Sequence, residues 1–253
     1  MRHLLVLSGG HPYEAEPFAA LLGSLQGWRA EHLVHPEAET LVADGAAEHA
    51  DALLFYDMPG FTFADGTVTT RPPSPGFVAA IKAHFARGGG AVAMHHALAG
   101  WADWPEWAEM LGGKFLYRRE TLRGRQCLDS GYRHDVDYDA VVLADHPVTR
   151  GLPARFAMCD ELYLAEIFAE DVTPLIAADH AFAAHNFYSA AHAVAGRMFD
   201  DSDWPHPPVS ALLAWTKPVG AGHLVYLQFG DGPAAYAHPH VQRVLANALD
   251  YVT

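Results

Sequence analysis

The chain has 253 residues, of which 51% are hydrophobic and 18% are charged, so it can bury a sizeable core and is not intrinsically disordered. Its formal net charge of −14 disfavours binding to nucleic acids and anionic membranes, because their phosphate groups carry the same sign of charge. No apolar run approaches the roughly 20 residues that a membrane-spanning helix needs. Cys127 and Cys159 show no pairing pattern, and we therefore expect a cytoplasmic protein.

The N-terminal part of the chain alternates between two kinds of apolar pattern. Short apolar runs predict strands, and apolar residues at helical spacing predict helices between them. The predicted strands cover residues 3–7, 29–34, 51–60 and 91–94, and the predicted helices cover residues 12–26, 36–50 and 73–90. This alternation, with short connections, is typical of a doubly wound parallel sheet, in which ligands bind at the carboxyl ends of the strands. We expect the segments after Leu7, Tyr56 and Met94 to line one crevice.

The C-terminal part is less regular and predicts strands and loops added to the sheet edge. A final helix is expected over residues 238–252, with its apolar positions packed on the sheet. The remaining strands are expected within residues 111–120, 134–153, 158–168, 172–180 and 210–232. No internal repeat and no low-complexity linker divides the chain, so residues 1–253 are predicted to form a single domain.

Two histidines stand where the fourth strand should end and a helix should begin. His95 and His96 follow the glycine-rich apolar run 88–94 directly. A side chain at such an elbow lies over a helix N-terminus, and histidine there can act as a general base, a proton donor or a metal ligand. We predict a catalytic role for His95 and a substrate-binding role for His96. Adjacent residues of an extended strand point in opposite directions, so the alternative is that only one histidine is functional.

A second group follows the first strand in the sequence "GGHPYE". His11 is a candidate catalytic residue, and Tyr13 and Glu14 are candidate substrate-binding residues. If the helix includes His11, the spacing His-x-x-Glu places both side chains on one helix face, as an acid–base or metal pair requires. The alternative is that Glu14 only stabilises the start of a helix.

A third group is the sequence "MCDELY". Asp160 and Glu161 are adjacent carboxylates in an apolar neighbourhood, which suits general acid–base catalysis, and Tyr163 is a candidate substrate-binding residue. The alternative is that one carboxylate caps a turn and the other is solvated. Cys159 stands beside negative charge, which disfavours a thiolate, so it is interpreted as a packing residue.

Three further residues are candidate substrate-binding positions. Asp57 ends the third strand, Asn186 lies in a polar loop, and Asp231 lies in a glycine-rich turn directly after a strand. The chain has no Cys/His set for a closed structural zinc site. An open divalent metal site built from His11, one elbow histidine and a carboxylate is a hypothesis that the sequence leaves open. So is a homo-oligomer formed through the tryptophan-rich segment 101–107, for which pocket lining and core packing are the alternatives.

At these residues the sequence resembles the ThuA-like (trehalose utilisation) family. The resemblance rests on residues 8–14, 88–113, 145–153, 160–163 and 220–252. It implies the fold of the class I glutamine amidotransferases, a flavodoxin-like three-layer α/β/α sandwich with a mostly parallel doubly wound sheet, and a role in sugar metabolism. Two departures stand out. The elbow cysteine of a glutamine amidotransferase is replaced in "AMHHAL", and Gly230-Asp231 stands where relatives typically have Gly-His.

These observations favour an enzyme that acts on a carbohydrate or an oxidised (keto) sugar by general acid–base catalysis. The predicted reaction is a hydrolase, lyase or isomerase reaction, with His95 or His11 as the base and Glu161 or Asp160 as the acid, and a divalent metal ion as an open option. A glutamine amidotransferase is not predicted, because it needs a cysteine nucleophile activated by a histidine, and neither Cys127, in a basic loop, nor Cys159, beside Asp160, fits that role. The alternative is a non-catalytic sugar-binding or regulatory module on the same scaffold.

Overall fold

A mixed β-sheet of ten strands with helices on both faces organises the protein, in a computed structural model that describes residues 1–253. Three further strand pairs lie outside it. The strands are β1 (Arg2–Gly9), β2 (Trp28–Val34), β3 (Ala52–Asp57), β4 (Phe61–Ala64), β5 (Thr67–Thr70), β6 (Gly90–Met94), β7 (Gly113–Lys114), β8 (Glu120–Leu122), β9 (Arg125–Cys127), β10 (Gly131–Val142), β11 (Arg155–Leu164), β12 (Glu166–Ile167), β13 (Thr173–Ala178), β14 (Tyr188–Ser189), β15 (Leu212–Val219) and β16 (Gly222–Leu227). The helices are α1 (Ala15–Gly23), α2 (Glu37–Leu41), α3 (Pro75–Ala86), α4 (Pro105–Leu111), α5 (Ala190–Val194), α6 (Pro233–Ala237) and α7 (Pro239–Tyr251).

The centre of the sheet is parallel and runs in the order β2-β1-β3-β6-β16. Every residue of β3 and β6 is buried, as expected for strands covered by helices on both faces. This is the flavodoxin-like strand order, in which the chain reverses direction of travel between β1 and β3. Ligands of such folds bind at the carboxyl ends of the strands near that reversal.

An antiparallel extension continues the sheet beyond β16 in the order β15-β13-β10-β11, with β14 paired to the start of β10. Only β15 and β10 run against the other eight strands, so the sheet is mostly parallel in direction. The pairing of β10 with β11 shifts register between Arg133 and Val136, where Asp135 has a positive φ of 53°. This bulge is adjacent to His134, which becomes important below.

The hydrophobic core lies in two layers, one on each face of the sheet. One layer packs α1 and α7 against the sheet through residues such as Leu21 and Val244. The other packs α3 and α4 through residues such as Phe77 and Leu111. The predicted three-layer α/β/α fold is therefore confirmed. No helix of the structure combines the length and the apolar character needed to cross a membrane.

Several predicted features differ in detail from the observed ones. Helix α1 begins at Ala15, later than the predicted start at residue 12. The hairpin of β4 and β5 has no counterpart among the predicted elements. Cys159 is exposed, so its interpretation as a packing residue is wrong. The three tryptophans of segment 101–107 are buried in the core layer of α3 and α4, which resolves the alternatives for that segment in favour of packing.

Candidate active site

A cavity of about 670 Å³ opens at the carboxyl ends of the parallel strands. Segments that follow β1, β3 and β6 contribute His11, Met58 and His96 to its lining, as the crevice prediction expected. The antiparallel extension contributes His134, Glu161 and Tyr163 from β10 and β11, and Asp231 follows β16. Hairpin β4–β5 and helix α5 line its opposite side, through residues that include Phe63, Asp65, Ala190 and Val194.

The elbow after β6 brings both of its histidines to one place. His95 has a positive φ of 42° and begins a single 3₁₀ turn, His95–Ala99. This backbone conformation costs a residue other than glycine about 1–3 kcal/mol, so it persists only where contacts with the surrounding structure stabilise it. Here Tyr226 Oη donates to the carbonyl of His95 at 2.9 Å. Because of this bend the two imidazole rings lie 4.6 Å apart, but only His96 lines the cavity, while the side chain of His95 is fully buried behind it.

The carboxylate of Glu161 lies between two imidazoles. His95 Nε2 donates to Glu161 Oε2 at 2.9 Å, while His134 Nδ1 lies 3.2 Å from Glu161 Oε1. The side chain of His95 is fully buried behind Glu161, and its Nδ1 donates to the backbone carbonyl of Gln228. Each oxygen of Glu161 therefore faces a different imidazole nitrogen, and the side chain of Glu161 is only 4% exposed.

Asp231 completes the cluster from the loop after β16. Its Oδ1 lies 3.7 Å from His95 Nε2 and 3.8 Å from His96 Nε2, and its Oδ2 lies 3.6 Å from His134 Nδ1. His134 was not identified from the sequence, since it stands in a polar stretch of β10 without a recognisable motif. The one signal that the sequence offers is spacing, since Tyr132 and His134 are two residues apart and share one face of a strand. In the structure both side chains line the cavity.

The electrostatics of the cluster follow from this packing. Burial opposes protonation of His95, but the hydrogen bond to Glu161 and nearby carboxylates raise its pKa to about 9. The pKa of His134 is raised mainly by the carboxylate of Asp231, 3.6 Å from its Nδ1, against the opposing effect of burial. Burial acts to raise the pKa of Asp231, but His134 and the charge of His95 hold it below its usual value. Burial, together with neighbouring histidines, places the pKa of His96 well below its ordinary value, so His96 is a neutral imidazole at neutral pH.

Asp160 lies behind the cavity and fixes the backbone of residues that line the cavity. Its carboxylate accepts from the N–H groups of Gly230 at 2.8 Å, Asp231 at 3.1 Å and Glu161 at 3.0 Å. Burial raises its pKa to about 6, against the opposing effects of His95 and of the N–H donors. Because Asp160 does not line the cavity, its role is that of a positioning residue for Glu161 and Asp231.

His11 lines the cavity but not as part of a helix. It precedes α1, and Glu14 is exposed, so the predicted pairing of His11 and Glu14 on one helix face is wrong. The ring of His11 stacks on His96 with 3.7 Å between centroids, and burial lowers its pKa. Its Nε2 lies 3.0 Å from the carbonyl of Tyr56 and its Nδ1 lies 2.9 Å from that of Pro12, which orients the ring as a support for His96.

Four predicted substrate-binding residues lie outside the cavity. Glu14 is exposed, Asp57 is fully buried and pairs with His35 at 2.8 Å, Tyr13 Oη hydrogen-bonds with Ser8 Oγ at 2.9 Å, and Asn186 donates to the carbonyl of Ala181. The structure thus brings together His11, His95, His96, Glu161, Tyr163 and Asp231 from the predicted set, with His134 added. Tyr13, Glu14, Asp57 and Asn186 do not line the cavity, and Asp160 lies directly behind it.

An aromatic wall runs from the cluster to the mouth of the cavity. Measured between ring centroids, Tyr163 lies 4.5 Å from His95 and 4.8 Å from Phe115. Phe115 lies 5.1 Å from Tyr117, which in turn lies 5.2 Å from Phe63. The arginines that follow Tyr117 in the chain, Arg118, Arg119 and Arg123, are exposed, and Arg123 pairs with acidic side chains outside the cavity. The cavity therefore combines a charged floor with an aromatic side.

The family relationship of the chain is decided by its match to the ThuA family model, described as trehalose utilisation, over residues 6–252. The chain belongs to this family. No curated protein matches its sequence.

Solved structures share the ThuA fold over nearly the whole chain. A ThuA-like protein from Parabacteroides merdae has a TM-score of 0.67 and 13% identity, covering 99% of this chain and 89% of its own. A ThuA-like protein from Bacteroides uniformis has a TM-score of 0.64 and 17% identity, covering 99% and 91%. A cytoplasmic protein from Salmonella typhimurium has a TM-score of 0.61 and 14% identity, covering 100% and 99%. At these identities the likeness shows a common fold.

Proposed function

We propose that this ThuA-family protein is a cytoplasmic enzyme that acts on a carbohydrate or a keto sugar by general acid–base catalysis. The observation that carries the proposal is the placement of Glu161. Its carboxylate lies at the floor of the cavity with each oxygen facing a different imidazole, His95 at 2.9 Å and His134 at 3.2 Å. A buried carboxylate held in this way accepts or returns a proton from one fixed position, which is what general acid–base catalysis requires.

The two imidazoles have different roles in this proposal because their exposure differs. His95 is fully buried and does not line the cavity, so in this proposal it orients Glu161 as a positioning residue and is not the base that the sequence suggested. His134 is 44% exposed and lines the cavity, so it can donate a proton to a departing or developing oxygen and be reprotonated from solvent. Glu161 as base and His134 as acid form the catalytic pair, and Asp231 keeps His134 in place at 3.6 Å.

The aromatic side of the cavity supports a sugar as the substrate. Phe63, Phe115, Tyr117 and Tyr163 offer ring faces on which a sugar ring can pack, while the hydroxyl groups meet the carboxylates and imidazoles of the floor. The family description, trehalose utilisation, points to the same class. Hydrolysis, elimination and isomerisation all use one base and one acid, so the test must detect every type of product.

The decisive experiment incubates the purified chain with trehalose and with keto derivatives of glucosides, and follows products by chromatography and mass spectrometry. We expect turnover by the wild type and a decrease in kcat of about 10²–10⁴-fold in Glu161→Gln, because the substitution keeps the shape but removes the base. Glu37→Gln, which changes an exposed carboxylate that does not line the cavity, is the matched control and should retain activity.

Binding without turnover would contradict the catalytic proposal and favour a sugar-binding module. Isothermal titration with the same sugars separates the two outcomes, since a binding module shows saturable heat but forms no product. Retained activity in Glu161→Gln would equally overturn the assignment of the base.

A further inference from the structure

Beyond the proposed reaction, we infer that His95, His96, Glu161 and Asp231 form a binding site for one divalent first-row transition-metal ion. The four side chains come from three separate parts of the fold, the elbow after β6, strand β11 and the loop after β16. One donor atom from each residue lies within 4.8 Å of all the others. The set differs from the one suggested by the sequence, because His11 supports His96 and does not point a nitrogen at this centre.

The separations between donor atoms match those around a shared ion. His95 Nε2 lies 2.9 Å from Glu161 Oε2 and 3.7 Å from Asp231 Oδ1, and His96 Nε2 lies 3.8 Å from the same Asp231 oxygen. With metal–ligand bonds of about 2.0–2.2 Å, neighbouring donors on one ion are separated by roughly 3–4 Å. The cluster therefore needs only small side-chain adjustments to coordinate one.

His96 provides a second, independent observation. Its Nδ1 is buried without a hydrogen-bond partner, and its Nε2 faces Asp231 Oδ1 at a distance too long for a hydrogen bond. The side chain is only 12% exposed. Neither ring nitrogen of His96 makes a hydrogen bond within the protein, and the nitrogen that faces the carboxylate of Asp231 is Nε2, so Nε2 is available to bind an ion between the two side chains.

The group behind His95 is arranged as it is around metal sites. His95 donates from Nδ1 to the carbonyl of Gln228, which leaves Nε2 as the nitrogen directed at the cluster. Such a hydrogen bond to the second ring nitrogen is the usual way in which a metal-binding histidine is oriented. A proton and a metal ion use the same lone pair on Nε2, so binding of the ion displaces that proton. The bound ion would then orient Glu161 Oε2 in place of the N–H group, while Oε1 still faces His134.

The donor types select the class of ion. Two imidazole nitrogens and two carboxylate oxygens suit Zn²⁺, Mn²⁺ or Fe²⁺, whereas Mg²⁺ and Ca²⁺ prefer oxygen ligands alone. The two carboxylates also balance the charge of a dication within a buried site. His96, Glu161 and Asp231 line the cavity, so an ion can enter from solvent and would face the substrate.

The test measures binding of the metal alone to the full-length chain. After treatment with a chelator and dialysis, the protein is titrated with Zn²⁺, Mn²⁺ and Mg²⁺ by calorimetry, and its metal content is measured by mass spectrometry. We expect one Zn²⁺ or Mn²⁺ per chain and much weaker binding of Mg²⁺. His96→Ala and Asp231→Asn should each weaken binding at least tenfold, whereas His240→Asn should not, because His240 belongs to a histidine pair outside the cavity.

Absence of stoichiometric binding by the wild type would overturn the inference, and so would binding that survives both His96→Ala and Asp231→Asn. Asp231→Asn is nearly isosteric, and thermal unfolding of each variant shows whether it is folded. The inference concerns the site of the proposed reaction but is measured without substrate. Failure to turn over a sugar by a chain that binds the ion would therefore count against the reaction and not against the metal site.

Discussion

At the residue scale, hydrogen bonds from backbone N–H groups fix the geometry of the site as much as the side chains that line it do. Asp160 is nearly inaccessible to solvent, yet its carboxylate joins β11 to the loop after β16 through the N–H groups of Gly230 and Asp231. It also accepts from the N–H group of Glu161. One carboxylate thus fixes the backbone at the two acidic residues of the candidate site.

We predict that Asp160→Asn destabilises the protein by about 1–3 kcal/mol and lowers any activity of the site. An amide offers one acceptor oxygen, and its NH₂ group meets N–H donors that then lose their partner in a buried environment. Urea unfolding measures the free energy change. Asp139→Asn, at a half-exposed position on β10, is the control and should change stability by less than about 0.5 kcal/mol. Equal stability of Asp160→Asn and the wild type would contradict the positioning role.

Gly10 decides where the loop after β1 can run. It has a positive φ of 83°, and a Cβ atom built on it would lie 2.2 Å from the carbonyl oxygen of Met58. The two loops that line this side of the cavity approach each other there without room for a side chain. His11 follows directly, so its position against His96 depends on this contact.

We predict that Gly10→Ala costs more stability than the matched substitution Gly27→Ala. Gly27 has nearly the same φ of 82° but no atom within 4 Å of its built Cβ, so its substitution reports backbone strain alone, about 1–2 kcal/mol. Gly10→Ala adds overpacking against Met58, about 1–3 kcal/mol more. Chemical denaturation of the two variants gives the difference, and similar values for both would show that the loops move apart freely.

At the element scale, the connection between α3 and β6 determines how β6 enters the sheet. Ser74 caps the N-terminus of helix α3, because its Oγ accepts from the N–H group of Phe77, and Pro75 is the first residue of the helix. Near its end, the buried His84 places Nε2 3.0 Å from the carbonyl of Gly90, the first residue of β6, and Nδ1 2.9 Å from Arg87. The strand that carries the elbow histidines at its far end is thus anchored at its start by a neutral imidazole.

We predict a pH dependence of stability that arises from His84. Burial lowers the pKa of His84, so below about pH 6.5 the unfolded chain takes up a proton at this residue that the folded chain does not. Stability from this source is therefore present above that pH and is lost as the pH falls. The stability difference between wild type and His84→Gln should shrink from about pH 7.5 to pH 5.5, by at most about 1.4 kcal/mol per pH unit. Urea unfolding at several pH values measures it, and a constant difference would refute the prediction.

At the scale of the whole molecule, the sheet separates two hydrophobic layers that stabilise it together. Helix α7 packs Val241, Val244 and Leu245 against one face, and each is completely buried. On the other face, α3 and α4 cover the same strands. Because every parallel strand is shared between the two layers, loss of packing on one face weakens the support of the cavity at the strand ends.

We predict that Leu245→Ala destabilises the protein by about 2–5 kcal/mol, because it leaves a cavity in a closely packed layer. Arg243→Ala, an exposed position on the same helix, should change stability by no more than about 0.5 kcal/mol. Thermal unfolding followed by circular dichroism compares the two. A small effect of Leu245→Ala would mean that α7 contributes little to the core.

Much of the fold follows from local patterns. The alternation of short apolar runs and helical periodicity predicted the parallel strands and the flanking helices, because burial on both faces imposes these patterns residue by residue. The hairpin of β4 and β5 was not predicted, because the residues of its short strands are exposed or half-buried and therefore lack the apolar pattern of a buried strand. The start of α1 was placed too early because Pro12 is compatible with a first helical turn but does not require one.

The sequence by itself determined the fold class, the family and the end of the sheet at which ligands can bind, since these depend on short-range periodicity and on the order of the elements. Only the tertiary structure decided which polar side chains meet. His95 and Glu161 are 66 positions apart, and His95 and Gln228 are 133 apart. Their contact depends on the register of β11 beside β10 and on the sharp turn at His95, and His134 reaches Glu161 beside the bulge in β10. Such contacts arise from the packing of distant strands, for which no local pattern of residues is diagnostic.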